Sequence, residues 1–488
     1  MSGVEGGGRR GFGSRLAGDT LVYGLGGIAN QAVAILLVPV YARVLGSAGV
    51  GVTGVLNSTV SLSLMVVGLA LPQAFFRWYL REATSREERA AVLGTTLAIR
   101  IAASLAGFAL VLLAAIPLTE SLYGGDHLLV FALAAPIILF DTFNGVPLSF
   151  LRAERRPRDY IVISITRAVT GTVLIVFLVA IFGIGVVGVP LGAAIAAAFS
   201  AAIGTTALWR ADMLRLVFDR ELARAMLAYS LPLVPAAVAG WALNLGDRPL
   251  LQAITGSAAV VGVYTMGYTA GLVINALAIQ PFSLAWSAAF WEISRSDDAP
   301  STYARSLTWF LAIASAAALF LSVIGTDVLR LLVGAEFEDS RYIVPFTAFA
   351  FVLYGAYTIG ATGLSIVGRS GLVATSLLVA AGVAVILNLV LIPMLGMYGA
   401  AISTVAGYGL LALLAGWQSQ RHYPVPWQLG RAAAILGLSA GLSALALVGP
   451  DHTLWRLGCL LLYPPILIGA GMVRPTQARQ LFRALWRR

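Results

Sequence analysis

The sequence contains no lysine, one cysteine and three histidines, and only 11% of its 488 residues are charged. A soluble domain is about a quarter charged and about half apolar. Here 59% of residues are hydrophobic and the mean hydropathy is +0.88. That balance excludes a cytosolic enzyme, a disordered chain and a secreted scaffold. Cys459, alone and inside an apolar run, excludes an intrachain disulfide and a cysteine metal site. His127, His422 and His452 are scattered without ligand spacing, and no Walker motif, nucleophile elbow or metal box is present. No cofactor is expected. The missing lysine accompanies abundant alanine, glycine and valine, a codon-composition effect with no mechanism attached.

Long apolar runs dominate what is present. A membrane span needs ~20 apolar residues, and runs bounded by charge or turn residues give fourteen candidate helices. They cover 20–40, 50–72, 92–117, 127–150, 161–182, 185–208, 229–256, 259–282, 306–331, 342–367, 372–393, 397–417, 431–449 and 454–473. The second is expected to end at Pro72, the seventh to kink or break at Pro249, and the ninth to break at Asp327 and Arg330. Residues 1–19, rich in Gly and Arg with no apolar stretch, read as a cytoplasmic tail rather than a cleaved signal peptide.

Arginine tests the sidedness. With the N-terminus cytoplasmic, 26 of the 32 arginines fall on the cytoplasmic side and five on the other, with Arg100 inside the third helix. This is the positive-inside pattern. The net charge of +10 is therefore topogenic, and nucleic-acid binding is unsupported. The expected location is the bacterial inner membrane, multi-pass, with both termini cytoplasmic.

The chain also repeats itself. Gly46-Ser47-Ala48-Gly49-Val50-Gly51-Val52 recurs as Gly256-Ser257-Ala258-Ala259-Val260-Val261-Gly262-Val263, and Gly185-Val186-Val187-Gly188 as Gly396-Met397-Tyr398-Gly399. Gly51 and Gly262 are 211 residues apart, as are Gly188 and Gly399. The fold class expected is an all-α membrane protein of about 14 transmembrane helices. Two parallel-repeat six-helix lobes, 20–228 and 229–417, would surround a central cleft, a recurrent transporter plan. Two C-terminal helices in 418–473 and a basic cytoplasmic tail, 474–488, complete it.

Polar side chains at membrane depth are costly and point to function or to helix packing. Asp141 lies ~21 Å along the fourth helix at 1.5 Å per residue, past the middle of a ~30 Å core, with Asn144 on the same face. It is read either as a proton or sodium site or as a hydrogen-bonded carboxyl that locks packing. On the seventh helix, Trp241, Asn244, Arg248, Gln252 and Thr255 form a polar stripe. Asp247, a further ion-coupling candidate, points about 100° away from Arg248, so the two are not obvious partners. Arg248 suits an anionic group, because guanidinium grips phosphate or carboxylate through two hydrogen bonds; the alternative is an outer-end ion pair or a snorkelling side chain. Asp19, Tyr23, Gly27 and Asn30 mark one face of the first helix, and Thr53, Asn57, Ser61, Met65 and Gly68 one face of the second. Tyr264, Tyr268 and Asn275 do so on the eighth, and Tyr354 and Tyr357 on the tenth. Such stripes are either packing surfaces or cleft linings. Arg77, Arg100 and Arg167, near cytoplasmic helix ends, suit either a cationic mouth or snorkelling. Trp286 and Glu292 are placed in a loop after the eighth helix as interfacial anchors.

Certain runs resemble bacterial polysaccharide-repeat-unit flippases of the Wzx type, in the multidrug/oligosaccharidyl-lipid/polysaccharide exporter superfamily. They are Leu37-Val38-Pro39-Val40-Tyr41-Ala42-Arg43-Val44-Leu45-Gly46, Gly68-Leu69-Ala70-Leu71-Pro72-Gln73-Ala74-Phe75-Phe76-Arg77-Trp78-Tyr79, and Asn244-Leu245-Gly246-Asp247-Arg248 followed by Gly262-Val263-Tyr264. Gly334-Ala335-Glu336-Phe337 before Tyr342-Ile343-Val344-Pro345 is similar too. The resemblance implies translocation of an undecaprenyl-diphosphate-linked oligosaccharide by alternating access, with no enzymatic activity. It implies membrane lipids, a polysaccharide polymerase and glycosyltransferases as partners. Arg43, Arg77 and Arg248 match family-typical positions, whereas Asp141 rests on its depth alone. The rival readings are an ion-coupled multidrug antiporter, a peptidoglycan-precursor flippase and, less well supported by the short outer loops, a glycan polymerase or ligase.

Overall fold

The computed structural model describes residues 38–211, 217–450 and 452–472. Among the described residues there is no strand. Twelve helical segments are long and apolar enough to cross a membrane, and Thr453–Gly469 is a shorter apolar helix. Together they match the second to fourteenth predicted helices; the first, 20–40, lies outside the described residues except for its last three. Side chains such as Leu113, Leu331, Met394 and Leu461 remain more than 70% exposed. In a bilayer they face hydrocarbon, so their exposure carries no penalty.

The described helices fall into two compact units, Met1–Trp241 and Ala242–Arg488. The first holds α1 (Gly46–Val67), α2 (Leu71–Arg77), α3 (Arg86–Tyr123), α4 (Ala134–Ala153), α5 (Pro157–Val176), α6 (Gly188–Arg210) and α7 (Arg220–Ser230). The division falls within α8 (Val234–Leu245). In this unit α4 packs on both α3 and α6, and α5 packs on α6. The second unit holds α9 (Asp247–Thr255), α10 (Ala258–Ile274), α11 (Gln280–Ile293), α12 (Ala299–Leu332), α13 (Ile343–Gly360), α14 (Ser370–Leu395), α15 (Met397–His422), α16 (Leu429–Val448) and α17 (Thr453–Gly469). There α15 packs between α13 and α14, and α12 packs against both α13 and α16.

The sequence repeat has a backbone cause. Gly46 and Gly256 both sit at φ 64°, and Gly185 and Gly396 at 68° and 56°, in the left-handed region where a side chain is strained. Each sits at a helix boundary. Gly188 and Gly399, three residues later in the second pair, abut the end of the preceding helix.

Four boundaries differ from those read in the sequence. The second helix breaks at Gly68–Ala70, where Leu69 and Ala70 are left-handed, and restarts as α2 with Pro72 in its first turn. Proline there needs no backbone donor, so Pro72 opens a helix rather than closing one. The seventh breaks at Gly246, not at Pro249, for the same reason: Pro249 is the third residue of α9. The eighth continues from Ala258 through a π-helical stretch, Asn275–Ile279, to Ile293. Trp286 and Glu292 are therefore on a helix and not in a loop, and Trp286 is buried, its indole N–H donating to the Thr362 hydroxyl at 2.9 Å.

The ninth does not break at Asp327 and Arg330, and α12 runs unbroken to Leu332. Arg456 of α17, 3% exposed, donates to the Asp327 carboxylate at 2.8 Å and neutralises it. This pair fastens α17 onto α12, and the lone cysteine reports on it, because Cys459 lies buried three residues along α17. In Asp327→Ala, maleimide labelling of Cys459 is expected to speed up about tenfold or more, since local opening sets such accessibility. An unchanged labelling rate would show that the pair does not hold α17.

Candidate functional site

The break at Gly246 decides the site in the second unit. It starts a new helix at Asp247, so Asp247 and Arg248 occupy the first turn of α9, whose backbone donors have no helical partner. Arg248 Nη1 donates to Asp247 Oδ1 at 3.0 Å and to the Asn244 carbonyl oxygen at 3.1 Å. Both charged residues are buried, 4% and 2% exposed. The two side chains are thus partners, contrary to the reading from helix angles. A long arginine side chain folds back across a turn, and the angle between Cα–Cβ directions does not fix where its guanidinium ends.

The second carboxylate oxygen is shared. The Tyr264 hydroxyl donates to Asp247 Oδ2, as does that of Thr404 on α15, at 3.3 Å. Tyr268 donates to Asn244 Oδ1 at 2.8 Å, and its ring lies 4.2 Å from the Arg248 guanidinium carbon, a cation–π contact. Rings continue from Tyr268 through Phe351 and Tyr408 to Tyr354 and Tyr357, each neighbour within 6.1 Å of the last. A buried ion pair, three hydroxyls, an amide and an aromatic file thus meet in one unit. An acid shared among an arginine and two hydroxyls can exchange one partner for another: if it takes up a proton or cation, the guanidinium is released to bind an anion.

The first unit places its acid differently. Asp141 on α4 accepts from Arg167 on α5 through both oxygens, each at 3.0 Å, with both side chains about a quarter exposed. Asn144 donates to the Ser200 hydroxyl on α6 at 2.8 Å. Both contacts join helices, and any ion taken up at Asp141 must compete with Arg167.

Arg77, Arg100 and Arg167 meet different neighbours. Arg77 is exposed, pairs with Glu82 at 3.5 Å and lies 4.9 Å from the rings of Trp78 and Tyr229. Arg167 belongs to Asp141. Arg100 is 6% exposed and fills the space beside Gly68 and Gly145, where an added Cβ would come within 3.5 and 3.7 Å of it.

A family model described as "Polysaccharide biosynthesis protein" matches residues 16–294, more than half of the chain. The chain belongs to the polysaccharide biosynthesis protein family. No protein with a curated description matches it. Among solved structures, this family member is similar to the lipid II flippase MurJ in an inward closed conformation. That match has 14% identity and a TM-score of 0.68, over 92% of this chain and 100% of the other. It is similar to an inward-facing multidrug resistance MATE transporter of the MOP superfamily, at 18% identity and a TM-score of 0.64, covering 83% and 95%. A mutant MATE transporter from Vibrio cholerae follows, at 14% identity and a TM-score of 0.58, covering 84% and 97%. These likenesses establish a multi-pass membrane fold of the MOP type.

The polysaccharide biosynthesis family member thus gathers Asn244, Asp247, Arg248, Tyr264 and Tyr268 into one cluster. Asn275, 9% exposed, opens the π-helical stretch and has no hydrogen-bond partner for its Oδ1 among the described residues. Arg43 and Asn57 are exposed, on helical segments of the first unit. Asn30, Asp19, Tyr23 and Gly27 lie outside the described residues. Thr404, Tyr408 and Asn388 escaped the sequence reading. Asn388, buried with Oδ1 lacking a partner among the described residues, is the one amide in the apolar run Ser370–Leu395, a signal that could have flagged it. Thr404 carries no such signal, because hydroxyls are common in membrane helices.

Proposed function

We propose that this protein translocates an undecaprenyl-diphosphate-linked oligosaccharide, a polysaccharide repeat unit, across the bacterial inner membrane by alternating access, for surface polysaccharide biosynthesis. Membership of the polysaccharide biosynthesis family supports the substrate class. The observation that carries the mechanism is the buried Asp247–Arg248 pair, a guanidinium at membrane depth held neutral by an acid that three donors share. In this reading Arg248, with Asn244, Tyr264, Tyr268 and Asn275, meets the diphosphate and first sugars, and Arg43, Asn57, Asn30 and Arg77 are further candidates for substrate contact. Asp247 is the ion-coupling group, with Asp141 and Asn144 as a second candidate locus. Glycosyltransferases would supply the substrate and a polymerase would consume it.

Proteoliposomes containing the purified protein are expected to expose a fluorescent undecaprenyl-diphosphate-linked oligosaccharide to a membrane-impermeant quencher within minutes, while empty liposomes protect it. Movement of a cationic drug against an ion gradient, with the glycolipid left in place, would instead identify a multidrug antiporter. Strong preference for a peptidoglycan precursor over other lipid-linked sugars would identify that flippase.

A further inference from the structure

At the arginine-rich end of the first unit lies a pocket that the proposed transport cycle does not use. Its volume is about 390 Å³, and Arg86, Arg89 and Arg156 line it with Tyr79 and Glu154. Local sequence builds it. Ser85 and Glu88 form a reciprocal cap at the start of α3, the Ser85 hydroxyl accepting from the Glu88 amide at 3.1 Å and the Glu88 carboxylate from the Ser85 amide at 3.3 Å. The cap fixes the first turn, so Arg86 and Arg89, three residues apart, fall on one face.

Opposite them, Glu154 and Arg156 follow the end of α4. The floor is rigid. Tyr79 is 1% exposed, stacked on Phe75 at 4.8 Å and edge-on to Phe150 at 6.2 Å, and its hydroxyl donates to Glu154 at 2.7 Å. The Arg89 guanidinium carbon lies 5.8 Å from the Tyr79 ring centre, and its Nε is buried with no hydrogen-bond partner among the described residues.

Two of these guanidiniums, those of Arg89 and Arg156, line the pocket with one carboxylate, Glu154, which already holds the Tyr79 hydroxyl. The lining therefore carries surplus positive charge and, among the described residues, a buried Arg89 Nε without an acceptor. Orientation of the chain in the membrane requires arginines on this side, but it does not require three of them around a rigid, aromatic-floored hollow. Planar forks of this kind match phosphate oxygens, and basic pockets at a membrane rim hold phosphate headgroups.

We propose that this pocket binds a phosphate-bearing ligand, either the headgroup of an anionic phospholipid or a free phosphate compound. The site is independent of the Asp247–Arg248 cluster, and it stands or falls apart from the transport reading.

The full-length protein in neutral detergent, titrated with phosphatidylglycerol, phosphatidylcholine or inorganic diphosphate, tests this by native mass spectrometry and thermal shift. Phosphatidylglycerol or diphosphate is expected to bind and raise Tm, with phosphatidylcholine inert; whichever of the two binds identifies the source. In Arg89→Gln/Arg156→Gln the affinity should fall about tenfold or more, while the charge-matched Arg369→Gln/Arg431→Gln control keeps it. Arg89→Lys/Arg156→Lys keeps the charge but loses the fork, and should fall between the two. Equal affinity in the Arg89/Arg156 variants and the control, or no binding of either anionic probe to the wild type, overturns the proposal. If the Gln variant does not fold, the Lys variant decides, and wild-type affinity there overturns it.

Discussion

Asp247→Asn should lose about 3–5 kcal/mol of stability, the usual cost of stripping one partner from a buried ion pair. The substitution changes almost no volume. What it removes is the only counter-ion that Arg248, 4% exposed, contacts within its cluster. Chemical unfolding in detergent, or the amount of protein retained in the membrane, measures the loss.

The informative companion is Asp247→Leu/Arg248→Met. Removing both charges is often neutral or stabilising, and Thr404 keeps its bond to the Ala400 carbonyl at 3.0 Å. The Tyr264 hydroxyl and the Asn244 carbonyl oxygen each lose a partner, costing about 1–3 kcal/mol apiece, but neither leaves a charge buried. The double variant should therefore accumulate better than the single one, yet transport no lipid-linked oligosaccharide. Full transport by the double variant would reduce the pair to a packing device and remove it from the mechanism.

The second large effect is steric. A Cβ on Gly399 would overlap the Leu391 carbonyl group and stand 2.8 Å from the Ile392 amide nitrogen. Those are backbone atoms of α14 and cannot rotate away, so Gly399→Ala must push α15 off α14. Overpacking of this kind costs typically about 1–3 kcal/mol, occasionally more, and the upper end is expected here. The repeat counterpart, Gly188, meets the Val179 and Leu178 side chains at 3.0 and 3.1 Å. These can give by a few tenths of an ångström, so Gly188→Ala should be the milder change. Gly382→Ala, on α14 with no atom within 4 Å, should gain about 0.5–1 kcal/mol from helix propensity. Melting temperatures in the order Gly382→Ala, Gly188→Ala, Gly399→Ala, highest to lowest, check all three; a Gly399 variant as stable as the wild type would refute the contact.

The positions of the apolar helices, and the glycine pairs that repeat 210 or 211 residues apart, were legible because each is a local property. A run either is or is not long enough to cross hydrocarbon, and a left-handed turn needs glycine wherever it falls. Helix interruptions were less legible. Pro72 and Pro249 looked like breakers, but each sits in a first turn where a missing N–H costs nothing, and the breaks lie just before them at Gly68–Ala70 and Gly246. Helical periodicity sees composition along one helix and cannot tell a proline inside a helix from one that begins it.

What the sequence alone determined is a polytopic all-α membrane chain and which polar residues are out of place in hydrocarbon. Which of them meet was decided by tertiary packing. Asp141 finds Arg167 on the next helix, Asp327 finds Arg456 129 residues away, and Asp247 draws on Thr404, 157 residues away, as well as on its neighbour. Charge pairing in a low-dielectric interior depends on distances of a few ångströms, and those are set by which helix faces pack together.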